Sequence, residues 1–279
     1  MACPGSGACG NLFGRLHPPS AKSARFPMNN PRLLLTTTVL AFTLPAVQAQ
    51  QPEPMLTPPE LTEQWWPVPP VVSAPAGGVP SDAIVLFDGQ SLAAWESVKT
   101  PGAPAPWKVE DGAMVVVPKA GNIQTKAGFG DMQLHLEFRS PAVVKGRGQG
   151  RGNSGLFFMQ RYELQILDSY ENKTYVNGQL GSIYKQQAPL VNPARPPGEW
   201  QSYDVIFTAP RFKADGSLES PARITAFLNG VLVQHNVTLT GPTEYRGQPQ
   251  YKAHPAKLPI ALQDHGDLVA FRNIWVREL

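Results

Sequence analysis

Short apolar runs separated by turn residues dominate the chain after residue 80. In the clearest run, Met132 to Arg139, apolar and polar residues alternate, and this period of two predicts a strand with one buried face. Other apolar runs flank Asp88-Gly89, Asp111-Gly112 and Asn229-Gly230, and the last pair is a strong hairpin signal. We therefore expect about eleven to thirteen strands and no helix longer than two turns.

Many short strands without alternating helices predict an all-β fold. The composition agrees, because 30 prolines and 25 glycines in 279 residues, with only 16% charged residues, exclude a coiled coil or a long helical bundle. The pattern favours a two-sheet jelly-roll sandwich, with a closed barrel as the main alternative. In a sandwich, outward side chains at alternate strand positions can line a groove, so polar residues there are the candidates for function.

The first 49 residues have the layout of an export signal. A short positive segment begins at Met28, an apolar run extends from Leu33 to Val47, and Val-Gln-Ala ends at Ala49. This order is typical of a secretory signal peptide. The alternative interpretation is a membrane-spanning helix, but the apolar run is shorter than the roughly 20 residues that such a helix needs. We expect translation from Met28, cleavage after Ala49, and export to the periplasm or the medium without a stable membrane span.

Residues 50–80 are a proline-rich region between this signal and the remaining chain. Nine prolines lie between Gln51 and Pro80, with Trp65 and Trp66 among them. Proline at this density prevents regular strand pairing and favours an extended, semi-rigid chain. We interpret the region as a linker to a folded domain at residues 81–279.

The net charge of +3 comes from the N-terminal region. Residues 1–49 contain four basic and no acidic residues, so the remaining chain has 20 basic and 21 acidic residues, a charge of −1. This balance favours neither nucleic acid nor an anionic membrane as a partner. Cys3 and Cys9 also lie there, so the exported chain is expected to lack disulfides, a thiol nucleophile and a cysteine-built zinc site.

The densest group of polar candidates lies around residues 152–168. On a strand over residues 162–167, Glu163 and Gln165 share one face, while Leu164 and Ile166 point to the core. A carboxylate beside an amide suits either proton transfer or a sugar-binding groove, and a solvated sheet face is an equally good interpretation of the spacing.

Four further residues are candidates with structural alternatives. Asn153 and Asp168 have positions typical of turn and capping residues. Lys145 begins a basic, glycine-rich loop that lacks Walker-type spacing and is placed to reach over a substrate. His265 lies in a turn between two strands, beside acidic residues, where it can serve as a base, an acid or a metal ligand.

Taken in chain order, several motifs are similar to those of the 3-keto-disaccharide hydrolase domain family. They are Phe87-Asp88-Gly89, Gly152-Asn153-Ser154-Gly155, Tyr162 to Asp168, Gly198-Glu199-Trp200, Asn229-Gly230, and Pro259 to Gly266. The resemblance covers residues 81–279 and implies a concanavalin A-like lectin/glucanase fold. Two segments depart from the family pattern: the basic stretch 146–152 is longer, and 240–257 resembles an insertion.

The resemblance implies an exported enzyme that cleaves 3-keto-glycosides, including 3-keto-disaccharides. A ketone at C3 acidifies the hydrogen at C2, so a base can remove it, the C1 substituent leaves by elimination, and water then adds. This route needs one base, one electrophile for the enolate oxygen and one acid, unlike the paired carboxylates of ordinary glycosidases.

On this basis we expect Glu163 and His265 to be catalytic, with a divalent metal ion as a possible cofactor that the same two residues would hold. The expected substrate-binding residues are Lys145, Asn153, Gln165, Asp168, Tyr184, Gln263 and Arg272. The expected partner is a small carbohydrate. The alternatives are a non-catalytic carbohydrate-binding module, an endo-glucanase of the same fold, and a structural envelope protein.

Overall fold

A computed structural model of the chain describes residue 58 and residues 61–279. The predicted signal peptide and part of the predicted linker lie outside the described residues. Residues 67–279 form one compact unit, whereas Trp65 and Trp66 precede it and are exposed. Among residues 61–279, no helix is both long and apolar enough to cross a membrane.

Strands account for nearly all the regular structure of the described residues. They are β1 (Ile84–Phe87), β2 (Trp95–Ser97), β3 (Lys108–Glu110), β4 (Ala113–Val115), β5 (Ile123–Phe129), β6 (Met132–Arg139), β7 (Ser154–Phe158), β8 (Tyr162–Ile166), β9 (Gln201–Thr208), β10 (Arg211–Phe212), β11 (Leu218–Ser220), β12 (Arg223–Leu228), β13 (Val231–Thr238), β14 (Leu258–Leu262) and β15 (Ala270–Glu278). Short 3-10 helices occur at Gly148–Gly150 and Val176–Gly178.

The strands form two main antiparallel sheets. The larger has the order β13-β12-β9-β6-β15-β4-β3, and β1 also pairs with β15. The smaller has the order β2-β5-β14-β7-β8, while β10 and β11 form a separate two-stranded ribbon. The antiparallel pairing and the neighbouring places of β12 and β13 agree with the hairpin predicted at Asn229-Gly230. Both turn residues have positive φ, +54° and +78°, as a two-residue hairpin loop of type I′ requires.

The hydrophobic core lies between the two sheets. Phe158 of β7 stacks on Phe207 of β9 with ring centroids 4.7 Å apart, and the Tyr203 hydroxyl of β9 donates a hydrogen bond to the Gln165 carbonyl of β8 (2.7 Å). Strand β6 alternates between buried and half-buried residues along its whole length, as its sequence predicted. The structure thus confirms the all-β, two-sheet jelly-roll sandwich of the concanavalin A-like lectin/glucanase type.

Strand β8 differs from a half-exposed edge strand because all five of its residues are buried. Its alternation places Leu164 and Ile166 in the core and turns Glu163 and Gln165 to the other face. That outer face is covered by chain from later in the sequence: Thr243, for example, accepts a hydrogen bond from the Glu163 backbone amide through its hydroxyl (2.9 Å). The polar side chains of β8 are therefore enclosed within a cavity.

Candidate active site

A cavity of about 700 Å³ lies over the outer face of the five-stranded sheet, at β7 and β8. Its walls are formed by Gln149, Gly150, Asn153, Phe157, Glu163, Gln165, Tyr175, Tyr184, Lys185, Thr243, Tyr245, Gln263 and His265. We call it the main cavity. Its volume lies within the range of small-molecule sites in proteins, and its mixture of aromatic and amide side chains suits a polyhydroxylated ligand.

Glu163 lies in the main cavity with only 5% of its surface exposed. No described residue forms a hydrogen bond or ion pair with its carboxylate. Burial therefore penalises the charged form without compensation and raises the pKa of Glu163 to about 8. The only acidic side chain in the described walls of this cavity is thus a carboxyl group that exchanges its proton near neutral pH.

Gly155 on β7 makes the room for this carboxyl group. It pairs with Gln165 across the strands, and a Cβ atom at Gly155 would lie 2.6 Å from Glu163 Oε1 and 2.7 Å from a ring carbon of Phe157. Because both distances are shorter than van der Waals contact, any larger residue at Gly155 displaces the carboxyl group or the aromatic ring.

Gln165 presents an unused hydrogen-bond acceptor next to Glu163. Its side-chain amide donates to Gln149 Oε1 (3.1 Å), whereas its Oε1 atom is buried without a partner among the described residues. A buried acceptor without a partner costs about 1–3 kcal/mol. A ligand hydroxyl that donates to this oxygen recovers that cost.

The predicted turn after β14 meets β7 at the main cavity. The Gln263 backbone amide donates to the Gly155 carbonyl (3.1 Å), and the Asn153 backbone amide donates to Asp267 Oδ2 (2.8 Å). These bonds bring Asn153, Gln263 and His265 into one wall. His265 is exposed there.

Three tyrosines and a lysine form another part of the wall of the main cavity. The hydroxyls of Tyr175 and Tyr184 are 2.7 Å apart and share a hydrogen bond. The Lys185 ammonium lies 4.2 Å from the ring centroid of Tyr245 and 5.7–5.9 Å from those of the other two tyrosines. Burial raises the pKa of Tyr184 above its ordinary value, and the hydrogen bond from Tyr175 and the charge of Glu163 add to this effect.

Several wall residues were not predicted from the sequence. Tyr175 and Lys185 belong to the loop after β8, and Thr243 and Tyr245 belong to the segment 240–257, which departs from the family pattern. These residues lie in irregular chain, where no strand periodicity indicates which side chains point inward. The departure from the family pattern was the one signal that this segment contributes to the groove.

Lys145 and Asp168 lie outside the main cavity. Both line a second cavity of about 590 Å³, which includes Pro141, Val143, Val144 and Leu268. Asp168 is buried and pairs with Arg151 (2.7 Å), whose guanidinium also donates to the Tyr170 carbonyl (2.9 Å). This ion pair fixes the end of β8 and the glycine-rich loop, the turn-stabilising arrangement that was the structural alternative for Asp168.

Arg272 is also separate from the main cavity, because it lies on β15 in the eight-stranded sheet. Its guanidinium pairs with Glu137 (2.6 Å) and lies 4.1 Å from the ring centroid of Trp200. It lines neither of the two cavities. The structure thus brings together Asn153, Glu163, Gln165, Tyr184, Gln263 and His265 of the predicted site, and leaves Lys145, Asp168 and Arg272 elsewhere.

The donor set for a metal ion is limited in the described part of the chain. Glu163 and His265 share the main cavity, but residues 61–279 contain no group of three His, Cys, Asp or Glu side chains arranged around one point. The residues present therefore do not form a protein-built metal site of the usual three or four side-chain ligands.

A known family model matches most of the folded part of the chain. The family model for the 3-keto-alpha-glucoside-1,2-lyase-like domain matches residues 82–277, which include both cavities and all of both main sheets except the last residue of β15. The chain belongs to this family. The family resemblance found in the sequence motifs is thereby confirmed.

A curated relative and two solved structures that are similar to this chain have names of the glycoside hydrolase type. A 3-keto-disaccharide hydrolase of Bacteroides thetaiotaomicron is 23% identical over 237 residues, covering 72% of this chain and 81% of the relative. The solved structure of a provisionally named glycosyl hydrolase of Parabacteroides distasonis is 52% identical, with a TM-score of 0.75, and covers 79% of this chain and 96% of that one. A second structure from P. distasonis, 22% identical with a TM-score of 0.52 over 71% of this chain and 94% of that one, shares the fold.

Proposed function

We propose that this member of the 3-keto-alpha-glucoside-1,2-lyase-like family cleaves 3-keto-glycosides, with 3-keto-disaccharides as the substrate class, by proton abstraction at C2, elimination at C1 and hydration. The observation that carries the proposal is Glu163, a buried cavity carboxyl group without a hydrogen-bond or ionic partner among the described residues. The family match and the named B. thetaiotaomicron relative support the same substrate class.

Glu163 acts as the base in this proposal. A base is most effective when its pKa lies close to the working pH, because it is then both available as the anion and strong enough to accept a proton. With its pKa raised to about 8, Glu163 is a much stronger base than an exposed glutamate. The C3 ketone delocalises the electron pair left at C2, and expulsion of the C1 oxygen follows.

The remaining wall residues bind the sugar and return the proton. Gln165 Oε1 accepts a hydroxyl hydrogen, and the side chains of Asn153 and Gln263, which also line the cavity, supply further polar contacts. His265 lies exposed at the cavity wall, where an imidazole can assist proton transfer. No step requires a second carboxylate, whereas ordinary glycosidases use two. The single acidic residue in the described walls therefore favours elimination over the endo-glucanase alternative.

Substitution of Glu163 tests this assignment. We expect Glu163→Gln to reduce turnover of a 3-keto-glucoside by at least about 100-fold, because the amide fills the same space but cannot accept the proton. Product analysis by mass spectrometry after incubation with an enzymatically prepared 3-keto-disaccharide identifies the enone or its hydrate. His265→Ala is the companion variant: near-normal turnover with Glu163→Gln and a large loss with His265→Ala would assign the base to His265 instead.

Sugar binding and product release, measured on the 3-keto-disaccharide and on unoxidised β-glucan, distinguish the rival functions. A carbohydrate-binding module would bind the sugar without releasing products, and an endo-glucanase would cleave unoxidised β-glucan. The same assay with a chelator tests the metal hypothesis. If the chelator abolishes turnover and an added divalent cation restores it, the electrophile is a metal ion.

Export is part of the proposal. The basic start at Met28, the apolar run and the Val-Gln-Ala sequence ending at Ala49 support it. An exported enzyme meets glycosides before uptake, which suits a cavity that is open to small soluble sugars.

A further inference from the structure

Besides the base, the proposed elimination needs an acid that protonates the departing C1 oxygen. Tyr184, which lies beside Glu163, is the candidate for this role. The Tyr184 backbone amide donates to the Glu163 carbonyl (3.2 Å), so the two residues are held next to each other across neighbouring chain segments. Both side chains line the main cavity.

The surroundings of Tyr184 keep its hydroxyl protonated and oriented. Its Oη atom shares a 2.7 Å hydrogen bond with the Tyr175 hydroxyl, and the residue is half-buried. Burial and the nearby Glu163 charge both disfavour the tyrosinate, so the phenol retains its proton across the physiological pH range. The neutral phenol of Tyr184 can donate a proton, and the carboxylate of Glu163 can accept one.

Lys185 supplies the charge that such an acid needs after it has given up its proton. Its ammonium lies 5.7 Å from the Tyr184 ring centroid and 5.9 Å from that of Tyr175. The Tyr245 carbonyl fixes the ammonium with a 2.7 Å hydrogen bond, and Lys185 adopts a φ of +58°, a strained conformation for a residue with a side chain. A fixed positive charge near the phenol stabilises the transient tyrosinate.

We propose that Tyr184 is the general acid of the reaction, with Tyr175 and Lys185 as positioning residues. The inference rests on the proposed function. As Glu163 removes the C2 hydrogen, the C1–O bond breaks, a C1=C2 double bond forms, and the leaving oxygen takes the proton of Tyr184 Oη. The protonated Glu163 then returns one proton to the tyrosinate, directly or through water. The products are a 2-hydroxy enone and a free alcohol, and both side chains are restored.

The test uses three 3-keto-glucosides that share one ring but differ in the leaving group: 4-nitrophenol, methanol and a second glucose. A nitrophenolate departs readily without protonation, whereas an alkoxide does not. We expect Tyr184→Phe to lower kcat/KM by at least about 100-fold for the methyl glycoside and the disaccharide, and by less than about 5-fold for the nitrophenyl glycoside. A residue that only binds the common ring would change all three equally.

Two further variants complete the experiment. Tyr175→Phe is expected to give the same leaving-group dependence with a smaller loss, and it serves as the alternative if Tyr184→Phe lowers the unfolding midpoint. Tyr170→Phe removes a hydroxyl that lines neither cavity and is the matched control, expected to resemble the wild type on all three substrates.

The outcomes separate this inference from the proposal on which it rests. If the wild type cleaves all three substrates and Tyr184→Phe lowers the three rates uniformly or not at all, Tyr184 is not the acid. If the wild type cleaves none of them, the proposed function itself is wrong.

Discussion

At the scale of single residues, Glu163 is the clearest case in which sequence and structure agree. Alternation along β8 placed Glu163 and Gln165 on one face, and the structure turns both into the main cavity. What alternation does not reveal is burial. Glu163 loses its solvent because Thr243 and its neighbours, 80 residues later in the chain, cover it, and this covering raises the pKa of the carboxyl group.

The raised pKa of Glu163 predicts a particular dependence of stability on pH. Between the ordinary glutamate value of 4.5 and about 8, the folded protein retains a proton that the unfolded chain has lost. Stability is therefore highest below pH 4.5, as far as this group is concerned, and falls as the pH rises through 8. The loss is a few kcal/mol, since one pKa unit corresponds to about 1.4 kcal/mol.

Glu163→Gln removes this dependence, because glutamine does not ionise. When the pH is raised from 5 to 9, we expect the wild type to lose a few kcal/mol of unfolding free energy that the variant keeps. Urea unfolding of both proteins at the two pH values measures it. An identical pH dependence in the two proteins would show that the carboxyl group is solvated in the folded state.

At the scale of elements, the pair β7–β8 carries the polar side chains of the main cavity, and Gly155 is the position on which their geometry depends. An added Cβ at Gly155 meets the end of the Glu163 side chain and the Phe157 ring rather than backbone. These side chains can move, so the strand pairing survives while the carboxyl group shifts.

Gly155→Ala is accordingly expected to cost about 1–3 kcal/mol of stability, as overpacking does. It is also expected to lower kcat/KM by at least about 10-fold through displacement of Glu163, the proposed base. The matched measurement is the double variant with Glu163→Gln. Since the displaced carboxylate is already absent there, Gly155→Ala should cause little further loss of rate. Fully additive losses would mean that Gly155 acts through something other than Glu163.

The elements themselves were largely predictable, and the loops were not. Alternation identified β6, and the Asn229-Gly230 pair identified the β12–β13 hairpin, because local backbone preferences decide both. The cavity wall formed by Tyr175, Tyr184 and Tyr245 comes from two irregular segments. Their positions depend on long-range contacts, such as the hydrogen bonds from Gln186 to Gly241 and from Lys185 to Tyr245. No local pattern specifies such contacts.

At the scale of the whole molecule, the sandwich separates stability from chemistry. The core between the sheets is apolar, while the outer face of the five-stranded sheet, together with its loops, carries the polar site. Arg272 illustrates the consequence for prediction: it follows a motif of the site in sequence, yet β15 carries it into the other sheet. Nearness in sequence to a functional turn does not ensure nearness in space when the chain crosses between sheets.

The proposed division of the full chain into signal, linker and folded domain leads to the last prediction. If residues 28–49 direct export, the mature protein begins at Gln50 and has lost the excess positive charge of residues 1–49. N-terminal sequencing of the protein recovered from the periplasm or the medium checks the cleavage point, and the control is a chain with Leu40→Arg, which interrupts the apolar run. We expect the control to accumulate uncleaved inside the cell. Recovery of uncleaved wild-type protein in a membrane fraction would instead identify residues 33–47 as an anchor.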